Sequence, residues 1–281
     1  MTQDPLFFVH LTDLHLSAPQ LANPLLLSDT MSAVRASFAA IRGLSQRPAF
    51  VVISGDLTDR GRPEDYETLK DLLTEEADDL PLVLALGNHD QRGPFRAVFG
   101  LGAGEASHDH DAVIAGLHVI TLDTAIPGHV GGEIDAAQQD WLRDRLGAHP
   151  DLRKLLVLHH APLLDLNRTQ AWDRLDAAST EALRQAMAGH DVVGILSGHV
   201  HMEEVSLWHG VPVVIGQGHH AATDPTAPKG EIRLVEGAGL TLCHLRDSGL
   251  TATFVPHAQT RALIKRIDIA GLMAREASRD A

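Results

Sequence analysis

A chain of 281 residues that is 44% hydrophobic and 21% charged can bury a full core, and its length allows one large domain or two small ones. The net charge of −14 argues against a nucleic-acid polymer as main ligand, because such binding rests on Lys and Arg neutralising phosphates; a small anion stays compatible if bound cations reverse the local field. The apolar runs Phe50–Ile53 and Leu82–Leu86 fall far short of the ~20 residues of a membrane helix, the start MTQDPLFF has no basic segment, and the single cysteine, Cys243, cannot form an internal disulfide, so no membrane span, no signal peptide and a cytoplasmic location are expected.

Short apolar runs bounded by turn residues alternate with helical periodicity, the pattern of an α/β protein. The first strand is expected at Leu6–Thr12, and Met31, Val34, Phe38, Ile41 and Leu44 then mark a crossover helix leading to a strand at Ala49–Ser54. A helix over Glu64–Leu80 precedes the strand Pro81–Leu86; further strands follow at Leu117–Leu122, Arg153–Leu158 and Asp191–Leu196. Asp135 can cap a helix carrying Trp141, Leu142 and Leu146, and Ser179–Ala188 forms another. The strands Glu204–Trp208, Val211–Ile215, Leu240–Leu245 and Thr251–Pro256 then follow with short turns, before a last helix over Ile269–Glu276. Ten strands suggest two packed sheets, and Ala221–Lys229 reads as a loop suited to the lip of a pocket.

Eighteen histidines stand beside one tyrosine, and their placement is what informs. Asp13 and His15 follow the first strand, Asp56 the second, and Asn88 and His89 the third; His159 with His160, and His199 with His201, follow two later strands. In an open α/β sheet the carboxyl ends of the strands share one edge, where such folds place ligands. His, Asp and Asn side chains meeting there make a mixed nitrogen and oxygen site for first-row metals. Seven or eight such ligands exceed the needs of one ion; with one carboxylate bridging they fit two metals about 3.5–4 Å apart. Each block has a blander reading alone, as a surface turn or a core histidine, but five in order after buried strands do not. His108 and His110 in SHDHD read as a solvated loop, His219 and His220 as loop residues near a pocket rim, and His10 as an interior residue.

Asp13-Leu14-His15, Gly55-Asp56-Leu57-Thr58-Asp59-Arg60-Gly61, Gly87-Asn88-His89-Asp90, His159-His160 and Gly198-His199-Val200-His201 together resemble the calcineurin-like metallophosphoesterase superfamily, over residues 6 to about 215. Leu122-Asp123-Thr124, Gly128, Gly131-Gly132, Trp141-Leu142, His159-His160-Ala161-Pro162 and Arg92 are most similar to bacterial class III cyclic nucleotide phosphodiesterases and the related glycerophosphodiesterases. The resemblance implies two packed mixed β-sheets flanked by helices, an αββα sandwich. Residues 1–215 would form the catalytic core, and residues 216–281 would complete the same domain as C-terminal strands and cap, with a dimer contact.

It also implies roles. Asp13, His15 and His201 would hold one metal, Asn88, His159 and His199 the other, and Asp56 would bridge them. The ions would be divalent or trivalent: manganese, iron, zinc or cobalt. The implied reaction is hydrolysis of a small phosphodiester, a cyclic nucleotide such as 3′,5′-cyclic AMP or a glycerophosphodiester, by in-line attack of a hydroxide bridging the metals. His89 would contact the phosphate and protonate the leaving group, Asp59 would orient it, and Asn88 and Arg92 would touch the substrate. A phosphomonoesterase or phosphoprotein phosphatase is the nearest rival, since those enzymes resemble Gly-Asn-His-Glu where Asp90 stands here; a non-catalytic metal-binding protein is the other. Substrate choice is expected in loops around residues 16–28, 91–112, 163–178 and 216–229.

Overall fold

A computed structural model describes residues 5–166, 172–258, 260 and 262–271. The first sheet, in the order β13-β12-β1-β2-β3, is built from β1 (Leu6–Leu11), β2 (Val51–Ser54), β3 (Leu82–Ala85), β12 (Gly239–Arg246) and β13 (Gly249–Pro256). The second, in the order β4-β5-β6-β7-β9-β8, contains β4 (His110–Ile114), β5 (Leu117–Leu122), β6 (Lys154–Leu158), β7 (Val192–Ser197), β8 (Glu204–Trp208) and β9 (Val211–Ile215). In the first sheet β1, β2 and β3 run parallel and β12 and β13 add antiparallel on one side; in the second β5, β6, β7 and β9 run parallel between the antiparallel edges β4 and β8.

The central strands read as unbroken apolar runs because both of their faces are covered. On β1, Phe7, Val9 and Leu11 face the core beneath α1 (Thr30–Arg42) and α2 (Pro63–Glu76), where Val34, Phe38, Tyr66 and Leu69 are buried. Phe8 turns the other way, stacks on Phe50 with ring centroids 4.7 Å apart, and joins Val52, Val119, Val157 and Leu196 between the two sheets. The outer face of the second sheet packs Ile120, Leu156 and Ile195 against Leu142 and Leu146 of α4 (Ala136–Ala148) and Leu183 and Met187 of α5 (Ala177–Met187). Three apolar layers between four structural ones make the αββα sandwich. Asp135 caps α4 as expected, accepting from the Gln138 N–H while the Gln138 amide oxygen accepts from the Asp135 N–H.

The structure adds elements the sequence pattern did not reveal. A short α3 (Arg92–Val98) follows the third strand, and β4 takes in His110, so part of the stretch expected to be a solvated loop is a paired strand; His108 stacks against Phe95 at 4.8 Å. A third sheet, in the order β10-β11-β14, is formed by β10 (Ala222–Thr223), inside the expected lip loop, β11 (Glu231–Val235) and β14 (Leu263–Asp268), and is not hydrogen-bonded to either main sheet. Of the helix expected over Ile269–Glu276, residues 269–271 are helical and the rest lies outside the described residues.

Candidate metal centre

The turns after β1, β2, β3, β6 and β7 meet at one edge of the sandwich, tied to one another through backbone bonds. The Asp13 N–H donates to the Gly55 carbonyl at 3.0 Å, His15 to Asp56 at 2.9 Å and Gly198 to His159 at 3.0 Å. Asp13, His15, Asp56, His199 and His201 all have positive φ, from 45° to 74°. That left-handed conformation costs an ordinary side chain about 1–3 kcal/mol, and five strained residues on one edge mark a site whose geometry is imposed by its surroundings. Two glycines let the turns close this far: a Cβ on Gly87 would collide with the Asp56 carboxylate, and one on Gly198 with Thr12 and Asp13.

The ring nitrogens facing outward from the site are all engaged. His15 Nδ1 pairs with Asp59 Oδ1 (3.1 Å), His201 Nδ1 with the Ala221 carbonyl (3.0 Å), His159 Nδ1 with the Ser54 carbonyl (2.9 Å) and His199 Nε2 with the Trp172 carbonyl (2.9 Å). In the neutral ring each acceptor fixes a tautomer in which the opposite nitrogen presents a lone pair inward. His15 Nε2 therefore lies 3.1 Å from His201 Nε2, with Asp13 Oδ1 3.2 Å from the latter and Asp56 Oδ2 3.5 Å from the former. Across Asp56, His159 Nε2 sits 3.3 Å from Oδ2; it and the Asn88 amide oxygen are buried with no hydrogen-bond partner among the described residues. Two sets of nitrogen and oxygen atoms converge on the Asp56 carboxylate. Buried Asp and His side chains grouped this closely could hold metal ions, and their chemistry fits the expected ones.

The electrostatics agree. Burial alone would raise the Asp13 and Asp56 carboxyls, yet the surrounding imidazoles hold both well below the usual carboxylate range. Burial opposes the charge on His159, but Asp56 and Asp13 outweigh it and push the ring up to about 9; a cation bound there would compete with that proton. His199 moves the other way, down to about 4, through burial and the neighbouring His159.

The remaining expected residues divide. His89 lies at the rim with its backbone N–H on Asp56 Oδ1 (2.8 Å) and Nδ1 donating to the Asp59 backbone carbonyl (2.9 Å). The Asp59 carboxylate instead turns to His15 and to the Asn23 amide (2.7 Å), standing 3.7 Å from the His89 ring. Arg92, expected at the substrate, is bound to Asp123 Oδ2 (2.7 Å) and the Ala125 carbonyl (2.8 Å), because α3 turns it toward the start of the second sheet. His160, with both nitrogens committed to Thr124 and the Val130 carbonyl, is a buried brace beside the ligand His159. Asp90 is another brace: it accepts from the N–H groups of Leu57, Thr58 and Gly87 and from the Tyr66 hydroxyl, pinning two ligand turns, while burial and Asp56 push its carboxyl up to about 6. It is not among the residues that line the pocket above the centre.

The pocket above the centre has a volume of about 440 Å³, within the ~300–1,000 Å³ of small-molecule sites. Sequence reading passed over several of its walls. Arg60 lines it beside Asn88 and His89, and His220, expected as a loop residue, sets its ring 5.2 Å from that of His15 at a tilt of 47°. No Arg-versus-Arg signal distinguishes Arg60 from Arg92; only the turn geometry does.

Comparison with known proteins agrees with this architecture. The calcineurin-like phosphoesterase family matches residues 8–203. A Rhodococcus erythropolis protein named "Probable cyclic nucleotide phosphodiesterase" is 34% identical over 256 residues, covering 89% of this chain and 83% of its own. An Arcobacter nitrofigilis protein named "Probable glycerophosphodiester phosphodiesterase" is 26% identical, covering 66% and 68%. Among solved structures, a dimetal phosphatase from Danio rerio superposes with a TM-score of 0.60 at 15% identity, covering 89% of this chain and 99% of that one, a likeness of fold. The chain belongs to the calcineurin-like phosphoesterase family.

Proposed function

We propose that this protein is a binuclear-metal phosphodiesterase acting on a small phosphodiester, a cyclic nucleotide or a glycerophosphodiester. The observation that carries the reading is the converging set of inward lone pairs around Asp56, including the orphaned Asn88 and His159 atoms. Asp13, His15 and His201 would hold one cation and Asn88, His159 and His199 the second, with Asp56 shared. Nitrogen and oxygen ligands of this kind accept manganese, iron, zinc or cobalt. Bound there, the pair would supply Lewis-acid stabilisation of the phosphoryl oxygens and an activated water.

The chain's own residues then do the rest. His89 has Nδ1 committed to the Asp59 carbonyl, so the proton it can deliver to a departing alkoxide is the one on Nε2. Burial opposes that protonation, but Asp56 and Asp59 raise the ring above its ordinary value, which favours the charged acid. The Asp59 carboxylate acts on His15, orienting a ligand ring. Arg60, at the rim, is the cation placed to meet a phosphate oxygen. Among the described residues no helix is long and apolar enough to cross a membrane. With its single buried cysteine the protein suits a reducing compartment, and we assign it to the cytoplasm, as a monomer or homodimer.

The test uses protein stripped with a chelator and reloaded with manganese, assayed on a nitrophenyl diester, a nitrophenyl monoester and cyclic AMP. Diester turnover should return with metal and fall by roughly 10²–10⁴-fold in His89→Ala, the usual worth of a general acid, and in Asn88→Ala. A preference for the monoester would move the protein to the phosphatases. No turnover with any metal would make it a binding protein.

A further inference from the structure

The third sheet has two unlike faces. On β11, Ile232 and Leu234 alternate with Glu231 and Arg233; on β14, Lys265 and Ile267 alternate with Arg266 and Asp268. The register pairs Ile232 with Ile267 and Leu234 with Lys265, so these four side chains share one face. The opposite face is salted, with Arg233 and Arg266 both on Glu231. The face holding Ile232, Leu234, Ile267 and Lys265 lines the cavity over the metal centre. None of its three aliphatic residues belongs to any of the three hydrophobic cores. Apolar surface that stabilises no core and looks into a reaction pocket is surface kept for a ligand.

We propose that this face selects the substrate: Ile232, Leu234 and Ile267 take the flat body of a nucleobase, and Lys265 sets the charge the pocket tolerates. The inference rests on the phosphodiesterase reading and narrows it. A sheet surface is flat across neighbouring strands, and a planar ring can lie against it and bury its face. A glycerol headgroup is polyhydroxylated and has no such face to bury. A choline or ethanolamine headgroup is cationic and meets an ammonium that forms no ion pair among the described residues. The ring nitrogens and carbonyls of a base are acceptors, which suits a lysine donor.

The experiment compares wild type with Leu234→Ser, Ile267→Ser and Lys265→Glu, each checked for its manganese content. Two readouts are taken: kcat and KM on 3′,5′-cyclic AMP and on glycerophosphocholine, and calorimetric binding of AMP to the manganese-loaded protein. Truncating the aliphatic wall should raise KM for cyclic AMP, and weaken AMP, about tenfold or more, with kcat and metal content within twofold. Lys265→Glu should shift the ratio of kcat/KM toward glycerophosphocholine. Unchanged AMP affinity and unchanged KM in the wall variants would overturn the proposal, as would wild-type preference for glycerophosphocholine. If wild type turns over neither diester, the phosphodiesterase reading fails, yet AMP binding that weakens in Leu234→Ser would still uphold the wall as a nucleotide surface.

Discussion

The floor and the lateral wall of the pocket are built on opposite principles. The floor is polar, buried and strained: five of its residues hold left-handed backbone, its rings are locked by outward hydrogen bonds, and two inward atoms, Asn88 Oδ1 and His159 Nε2, lack partners among the described residues. The wall on β11 and β14 is aliphatic, partly exposed, in ordinary extended backbone and outside every core. A floor assembled from five interlocked turns cannot change one residue without disturbing its neighbours. The wall hangs on its own small sheet, and its residues can change with little cost to the rest. Chemistry would thus be fixed by the rigid region and selectivity left to the adaptable one.

Replacing the shared carboxylate should strike hardest. Asp56→Asn keeps the size of the side chain and removes the charge that faces His15 and His159 and anchors the His89 backbone. Metal binding should fall below two equivalents, with diester turnover down roughly 10³-fold or more; near-normal turnover with two manganese ions bound would break the view of the floor as one unit. Asp59→Asn should matter less, because its carboxylate pairs with His15 and the Asn23 amide. A neutral amide there weakens the His15 ligand, and manganese affinity measured by titration should drop about 10–100-fold. Activity at saturating manganese should recover most of its value, which a residue orienting the acid His89 would not do.

The asymmetry between the two regions also governs what the sequence reveals. Asp13, Asp56, Asn88 and His199 are legible because polar, metal-capable side chains directly after buried parallel strands are chemically unusual, and the strand ends bring them together. The layers follow from the same pattern: doubly buried strands such as Val51–Ser54 and Lys154–Leu158 read as continuous apolar runs. The wall carries no such mark. Glu231-Ile-Arg-Leu-Val and Leu263-Ile-Lys-Arg-Ile-Asp are ordinary amphipathic stretches some 30 residues apart in sequence, and both lie outside the loops expected to choose the substrate. Arg92 shows a related limit: its place after Gly-Asn-His-Asp says nothing about which way α3 turns, and in the structure it pairs with Asp123. Likewise, the resemblance that set the Asp59 carboxylate on His89 gives no hint that His89 meets the Asp59 backbone carbonyl while the carboxylate turns to His15.

The smallest expected effect separates the regions most cleanly. Leu234→Ser removes an aliphatic side chain from the wall, and Leu156→Ala removes one from the core beneath α4 and α5, where Leu156 is fully buried. A buried leucine truncated to alanine loses transfer energy and leaves a cavity, so Leu156→Ala should destabilise by about 2–5 kcal/mol in urea unfolding. Leu234 packs into no core, is only half-buried and lines the open pocket, so its change should stay within ~0.5 kcal/mol. A loss at Leu234 close to that at Leu156 would mean that the small sheet contributes to folding and that its apolar face is structural. An unchanged unfolding midpoint, together with weakened AMP binding, would separate ligand recognition from stability at a single residue.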